Sequence, residues 1–274
     1  MFYDTHTHTK HSCDCSKIPE DGIVSAIKNG LSGISITDHS DLRLFYKFDI
    51  PDEIPLSCKE ADAFAEKYKG QIDVFSGIEI SDAAIPEYKD RLQQAFHFHD
   101  YDIILASVHI VDLEGKTCEF SSADFTQVDM ETINKLMDVY FDYMLKTVYE
   151  HDFSTLCHVT YALRYINGTY KKGYLIDRNI KKIEEIYKTI IDKNTALEIN
   201  TARCTPENPC AFCPEKELLE LYISLGGRMF TLGSDSHIAG SEGRSFKQAS
   251  EFLREHDING AYYFKKLKPV YYEF

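Results

Sequence analysis

Six short elements, spread from one end of this 274-residue chain to the other, each carry an imidazole or a carboxylate that can ligate a metal. They are His6-Thr7-His8, Thr37-Asp38-His39, Gly77-Ile78-Glu79, Ser107-Val108-His109, Cys157-His158 and Ser234-Asp235-Ser236-His237. Most follow a short apolar, β-branched run: Gly33-Ile34-Ser35-Ile36, Val74-Phe75, Ile103-Ile104-Leu105 or Met229-Phe230-Thr231-Leu232. One such group at one strand end is ordinary. Six at the ends of successive strands point to convergence on one site. His6 and His8 stand two residues apart, a spacing that turns both rings to one face of a strand. Asp235 and His237 repeat it. A carboxylate between two metals, as Glu79 would be, can bridge them with one oxygen to each.

The elements that must hold these groups alternate in type. Strands are expected at Phe2–Thr5, Gly33–Thr37, Ile72–Ser76, Ile103–Ser107, Ser154–Cys157, Ala196–Asn200 and Arg228–Leu232. Helices are expected at Glu20–Asn29, Lys59–Lys69, Pro86–Phe96, Asp129–Glu150, Asp177–Asp192, Glu215–Ser224 and Lys247–Glu255. The Asp177–Asp192 segment repeats apolar residues at helical spacing through Ile180, Ile183, Ile186, Tyr187 and Ile190. Regular alternation implies parallel strands joined by crossover helices. Closed on itself, that pattern is a (β/α) barrel, whose ligands sit at the C-terminal strand ends. Nothing like a Gly/Ser- or Pro-rich linker divides the chain, so one domain over residues 1–274 is expected. Long connections at Asp41–Ser57, Glu114–Val128 and Arg203–Pro214 are expected to wall the pocket. The tail Tyr271-Tyr272-Glu273-Phe274 reads as a terminal strand.

A chain of this length can bury about 75% of its unfolded surface, enough for one large core. The formal charge of -14 argues against a nucleic-acid partner, which needs a basic stripe. No apolar run reaches the ~18 residues of a membrane span. The first residues lack the basic and apolar regions of a signal peptide, so a cytoplasmic location is expected. There the eight cysteines are expected to be reduced. Cys204, Cys210 and Cys213 have spacings that can mimic a thiolate zinc site but lack a second pair, so they read as incidental thiols in a loop.

Taken in order, His6-Thr7-His8-Thr9, Asp38-His39, Gly77-Ile78-Glu79, Ser107-Val108-His109, His158 and Asp235-Ser236-His237 resemble the motifs of the PHP superfamily (polymerase and histidinol phosphatase). The resemblance covers nearly the whole chain. Length, a single catalytic domain, Ser107-Val108-His109 and the run Leu197-Glu198-Ile199-Asn200-Thr201 make it most similar to the histidinol-phosphatase branch. The resemblance implies a distorted (β/α)7 barrel with two to three divalent metal ions, of zinc, manganese or iron. One metal would be held by His6, His8, Glu79 and Asp235, and a second by Glu79, His109 and His158. A third would be held by His39, His237 and a residue of the loop after the first motif. Relatives often place a histidine there. The matching position here is Asp14, with His11 as the alternative donor. The implied activity is hydrolysis of L-histidinol phosphate, in histidine biosynthesis, by a hydroxide that bridges two metals. The alternative is a phosphoesterase for another small ester, such as a nucleotide or sugar phosphate. A non-catalytic PHP module would be told apart by low metal content.

A phosphate ester also calls for a cation from the protein. Arg164, six residues beyond His158, and Arg203, beyond the Glu198-Ile199-Asn200 strand end, are the candidates, ahead of Arg244, Lys171 and Lys172. Glu114, Glu119 and Asp124 could supply charge for a cationic amine substrate, and Tyr161, Tyr165 and Tyr170 could line a pocket for an imidazole. Asp38 reads either as a buttress for His39 or as a catalytic group. It shares the candidacy for proton donor to the leaving group with the third metal and water. His97, His99, His151 and His256 read as structural residues near helix ends.

Overall fold

The structure, a computed structural model, describes residues 1–43 and 53–274. The apolar runs form short strands buried on both faces, as a parallel sheet covered by helices requires. In chain order the strands are β1 (Tyr3–Thr7), β2 (Gly33–Ile36), β3 (His39–Asp41), β4 (Asp73–Ser81), β5 (Ile103–Ala106) and β6 (Ile110–Leu113). They continue with β7 (Lys116–Glu119), β8 (Thr155–Leu156), β9 (Ala196–Asn200), β10 (Phe230–Gly233), β11 (Gly260–Lys265) and β12 (Lys268–Glu273).

The main sheet runs β1-β2-β4-β5-β8-β9-β10, every neighbouring pair parallel. It closes on itself just beyond β10. The Asp235 N–H donates to the His6 carbonyl at 2.8 Å and the His8 N–H donates to the Ser236 carbonyl at 3.0 Å. The result is a seven-stranded barrel, as expected. The short β3 is added alongside β4, with His39 paired to Glu79.

Helices pack around the barrel at Pro19–Lys28, Ile54–Lys67, Lys89–His97, Met130–Glu150, Ile180–Asp192, Lys216–Ser224 and Phe246–Arg254. Their buried stripes follow the apolar spacing: Ile183, Ile186, Tyr187 and Ile190 turn inward from one helix. Asp129 caps the Met130–Glu150 helix by accepting from the Thr132 N–H at 2.7 Å.

Several boundaries differ from the sequence expectation, each for a physical reason. The second helix starts at Ile54, not Lys59, because Pro55 fits the first helical turn. The Pro86–Phe96 segment divides into a 3-10 turn at Pro86–Tyr88 and a helix from Lys89. β4 does not stop at Ser76. Its first half pairs with β2 and its second half with β5 and β3, so it continues through Glu79. Gly77 marks the change of partner. A Cβ there would stand 2.6 Å from Ile103 Cγ2 and 2.8 Å from Thr37 Cγ2. The Glu114–Val128 connection is not all loop, since β6 and β7 form a hairpin around Glu114 and Gly115, both at positive φ. The tail pairs as β12 against β11, a partner the sequence did not reveal. The expected loop at Asp41–Ser57 lies partly outside the described residues.

Candidate metal centre

Five rings converge on one buried carboxylate. His6 sits in β1 and His8 just past its end, so the two-residue spacing brings their Nε2 atoms to 2.9 Å. Glu79 lies inside β4 with no solvent exposure. Its Oε2 is 2.8 Å from His39 Nδ1, 3.3 Å from His6 Nε2 and 3.5 Å from His8 Nε2. Its Oε1 is 2.8 Å from His158 Nε2 and 3.2 Å from His109 Nε2. Asp235 Oδ1 lies 3.3 Å from His8 Nε2 and 3.7 Å from His6 Nε2. Asp14 completes the far side, with Oδ1 3.6 Å from His39 Nε2 and Oδ2 3.2 Å from His237 Nε2. Thus His6, His8, Asp14, His39, Glu79, His109, His158, Asp235 and His237 share one cluster. His158 and Asp235 hold their places at φ of 25° and 51°, a conformation that costs a non-glycine residue energy and gathers at functional sites.

The spacings suit metal ions. A tetrahedral shell with bonds of ~2.0–2.1 Å has edges of about 3.3–3.4 Å. The separations among His6, His8, Glu79 and Asp235 given above span 2.9 to 3.7 Å and bracket that value.

The outward ring nitrogens decide which way the lone pairs point. His6 Nδ1 donates to Glu198 Oε1 at 2.6 Å. Ser12 spends its hydroxyl proton on Asp38 Oδ1, so it accepts from His8 Nδ1 at 3.1 Å. His109 Nδ1 faces Asp41 Oδ1 at 3.4 Å, and His237 Nδ1 donates to the Asp235 carbonyl at 2.9 Å. With those protons outside, the Nε2 lone pairs of all four rings aim inward. Such pairing of a ligand's far nitrogen fixes tautomer and ring orientation at metal sites.

Charge balance tells the same story. Burial opposes a charged His6, yet the carboxylates of Glu198, Glu79 and Asp235 raise its pKa well above the ordinary value. Burial, with the rings of His39 and His237, pushes His8 well below it. Burial also works against an ionised Glu79, but His39, His109 and His6 hold it well below the usual carboxylate range. The cage wants positive charge between its carboxylates and cannot protonate every ring to supply it. Glu79 Oε2, His39 Nδ1 and His237 Nε2 are buried without a hydrogen bond. Divalent cations satisfy both demands, so the residues present fit the metals that the motifs imply.

Other sequence candidates land elsewhere. Asp38 is fully buried and turned away from the cavity. It accepts from Thr9 N at 2.6 Å, Thr9 Oγ1 at 2.8 Å, Ser12 Oγ at 2.8 Å and Ser57 Oγ at 2.5 Å. Of the two roles open to Asp38 in the sequence, these bonds favour the brace: it holds the loop that carries Ser12. Arg203 stands apart from the cluster too. It is exposed, lies against Gly168 and donates from Nη1 to the Arg164 carbonyl at 2.9 Å, away from the cluster. His11 pairs with Glu53 and Glu60 rather than with His39 and His237. Arg244 and Lys172 bond to backbone carbonyls of Ala202, Thr126 and Val128. Among the described residues, Cys204, Cys210 and Cys213 enter no metal-sized group. The sequence reading missed Ser12 and Asp41 as supports of the cluster. It met Glu198 and Asn200 only as part of a family-like run.

A cavity of about 380 Å³ opens onto the cluster. Arg164 lines it, its Nη1 3.2 Å from Asp235 Oδ2 and its Nη2 2.5 Å from Asn200 Oδ1. Glu119, at the end of β7, lines it too and accepts from Ser121 and Ser122, both at 3.0 Å. Tyr161 and Tyr165 complete the wall, with the Tyr161 ring centred 4.8 Å from His109. Tyr170 instead packs on Phe125.

Residues 4–202 match the family model described as "PHP domain". The chain is 30% identical to a probable histidinol-phosphatase of Clostridium acetobutylicum, over 97% of this chain and 98% of that one. It is 27% identical to a histidinol-phosphatase of Lactococcus lactis, over 92% and 90% of the two chains. A crystal structure of histidinol phosphate phosphatase from Lactococcus lactis, complexed with zinc, L-histidinol and phosphate, superposes with a TM-score of 0.82 at 25% identity, covering 98% of each chain. The Asp235–His237 element lies beyond the matched stretch, yet the barrel's closure brings it to the same centre.

Proposed function

The chain belongs to the PHP-domain family, and from that premise we propose that it is a metal-dependent phosphomonoesterase that hydrolyses L-histidinol phosphate to L-histidinol and phosphate. The observation that carries the reading is the convergence of inward imidazole lone pairs and the Glu79 and Asp235 carboxylates at metal-shell spacing, beside a partly buried guanidinium in one cavity. We assign one metal to His6, His8, Glu79 and Asp235, a second to Glu79, His109 and His158, and a third to Asp14, His39 and His237. Mixed imidazole and carboxylate donors suit zinc, and also manganese or iron. Zinc accompanies histidinol and phosphate in the Lactococcus lactis relative.

Bound divalent ions supply Lewis acidity, lowering the pKa of water and neutralising charge on phosphoryl oxygens. The chain's own groups do the rest. Glu79 offers one oxygen to each of two ligand sets, which fixes their separation. Arg164 faces the phosphoryl group. Its Nε is a buried N–H without a partner, a donor held ready for an anion. Glu119, held by two serine hydroxyls, stands ready for the substrate ammonium, while Tyr161 and Tyr165 wall the cavity against the imidazole. Hydrolysis breaks the ester P–O bond, adds the oxygen of water to phosphorus and returns a proton to the leaving alkoxide.

The same reading takes residues 1–274 as one catalytic domain acting on a small diffusible ester in the cytoplasm, as a step of histidine biosynthesis. Among the described residues, no helix is long and apolar enough to cross a membrane. The test is phosphate release by the metal-replete protein from L-histidinol phosphate and from a panel of nucleotide and sugar phosphates. Preference for histidinol phosphate by roughly 100-fold or more in kcat/KM is expected, since buried polar groups reject a substrate that leaves them unpaired. Flat, weak activity across the panel discards the substrate and keeps the metal hydrolase.

A further inference from the structure

Asn200 ends β9 with its side chain fully buried among charged groups. Its Nδ2 donates to Glu198 Oε2 and to Asp235 Oδ2, each at 3.2 Å. Its Oδ1 accepts from Arg164 Nη2 at 2.5 Å and from the Ala202 N–H at 3.1 Å. A primary amide has two donor hydrogens and two acceptor lone pairs, so nothing is left over. The flipped amide would set oxygen against two carboxylates and N–H groups against a guanidinium and an amide N–H. The network therefore fixes one orientation. The backbone is pinned as well. The Asn200 N–H donates to the Cys213 carbonyl at 3.0 Å, and the Cys213 N–H returns a bond to the Asn200 carbonyl at 2.9 Å. This gives the cysteine-bearing loop a mechanical purpose that needs no metal.

Each neighbour of the amide leads to a different part of the site. Glu198 leads to His6 Nδ1. Asp235 faces His6 and His8 through its other oxygen. Arg164 lines the cavity. Gly233 keeps the route open, because a Cβ there would collide with Glu198 Oε1 and stand 2.8 Å from His6 Cβ.

We infer that Asn200 is a positioning residue that holds the metal-side groups Asp235 and Glu198 and the phosphate-side Arg164 in one fixed register. It touches neither metal nor substrate and acts through those three side chains. Aspartate at this position would keep both acceptor contacts but oppose two carboxylates. Alanine would release all three groups. The inference rests on reading the cluster as a metal centre.

The test compares the metal-loaded full chain with Asn200→Asp and Asn200→Ala. Zinc affinity is read by chelator competition, KM and kcat by phosphate release, and ligand geometry by the visible spectrum of the cobalt-substituted protein. Asn200→Asp is expected to weaken zinc about 10- to 100-fold, the usual effect of losing a partner of a metal ligand, and to alter the cobalt spectrum. Its KM is expected to stay within about threefold, because Arg164 keeps its acceptor. Asn200→Ala is expected to weaken zinc and also to raise KM about tenfold as the guanidinium loses its anchor. Wild-type zinc affinity and cobalt spectrum in both variants overturn the inference, as does an unchanged KM in Asn200→Ala. If the alanine variant does not fold, Asn200→Ser repeats the measurement. Wild-type protein that binds no divalent metal refutes the metal centre itself, and that measurement comes before any variant.

Discussion

Replacing Glu198 by glutamine perturbs the centre without touching a predicted ligand. The carboxylate accepts from His6 Nδ1 at 2.6 Å through Oε1, and from the His158 N–H at 2.9 Å and Asn200 Nδ2 at 3.2 Å through Oε2. Glutamine has the same shape, one acceptor fewer and two donors more. If its oxygen faces His6, its N–H2 confronts the donors of His158 and Asn200. If its N–H2 faces His6, the ring must shift its proton to Nε2, the nitrogen aimed at His8 and Glu79. Either way a charge-assisted bond is lost and a buried donor is left unpaired, at a cost of about 1.5–3 kcal/mol. At 1.4 kcal/mol per tenfold, that predicts zinc binding weaker by roughly 10- to 100-fold, in line with other metal sites. The assay is zinc titration against a chelator, with phosphate release followed at each free zinc concentration. The activity curve should move to higher zinc by the same factor. Affinity and kcat/KM both within about twofold of wild type would refute the tautomer argument and the inward aim of His6.

Changing Glu79 to Gln should abolish turnover and lower the occupancy of two metals together, since its two oxygens face separate ligand sets; metal analysis with unchanged turnover would sink the proposed cage. Arg164→Ala should raise KM for the phosphate ester by about 10-fold or more while metal content stays constant. A parallel fall in metal would make the arginine a structural strut. Glu119→Gln should raise KM for histidinol phosphate about tenfold and leave an amine-free phosphate ester unaffected. Equal loss on both esters would remove Glu119 from substrate recognition.

The boundary between local and long-range information runs through particular residues. His39, His109 and Asp235 are legible because each follows a short apolar, β-branched run that reads as a strand, and a strand end fixes where the next side chain can go; His158, after Ser154-Thr155-Leu156-Cys157, is legible only from its place in the order of strand ends. Around Glu79 the composition ends the strand early, whereas β4 runs through it, because pairing with β3 and β5 extends the strand beyond what its composition suggests. Asp38 and Arg203 are ambiguous in the sequence because carboxylate and guanidinium at a strand end look the same whether they face the cavity or brace a loop. Orientation is set by Ser57, Thr9 and Gly168, residues distant in sequence or silent in chemistry.

By itself the sequence determined the inventory and order of metal-binding groups, the alternation that makes a barrel, and the family that order belongs to. Period, composition and spacing are local properties, and a strand end translates them directly into position. Tertiary structure alone decided which carboxylate orients which ring. Glu198 and His6 are 192 residues apart, and Ser12 meets Asp38 across 26. The first pairing arises only when β1 closes against β10 with β9 beside it, and the second when β2 lies beside β1. A hydrogen bond of under 3 Å between such partners is a consequence of the packed barrel, and no pattern along the chain encodes it.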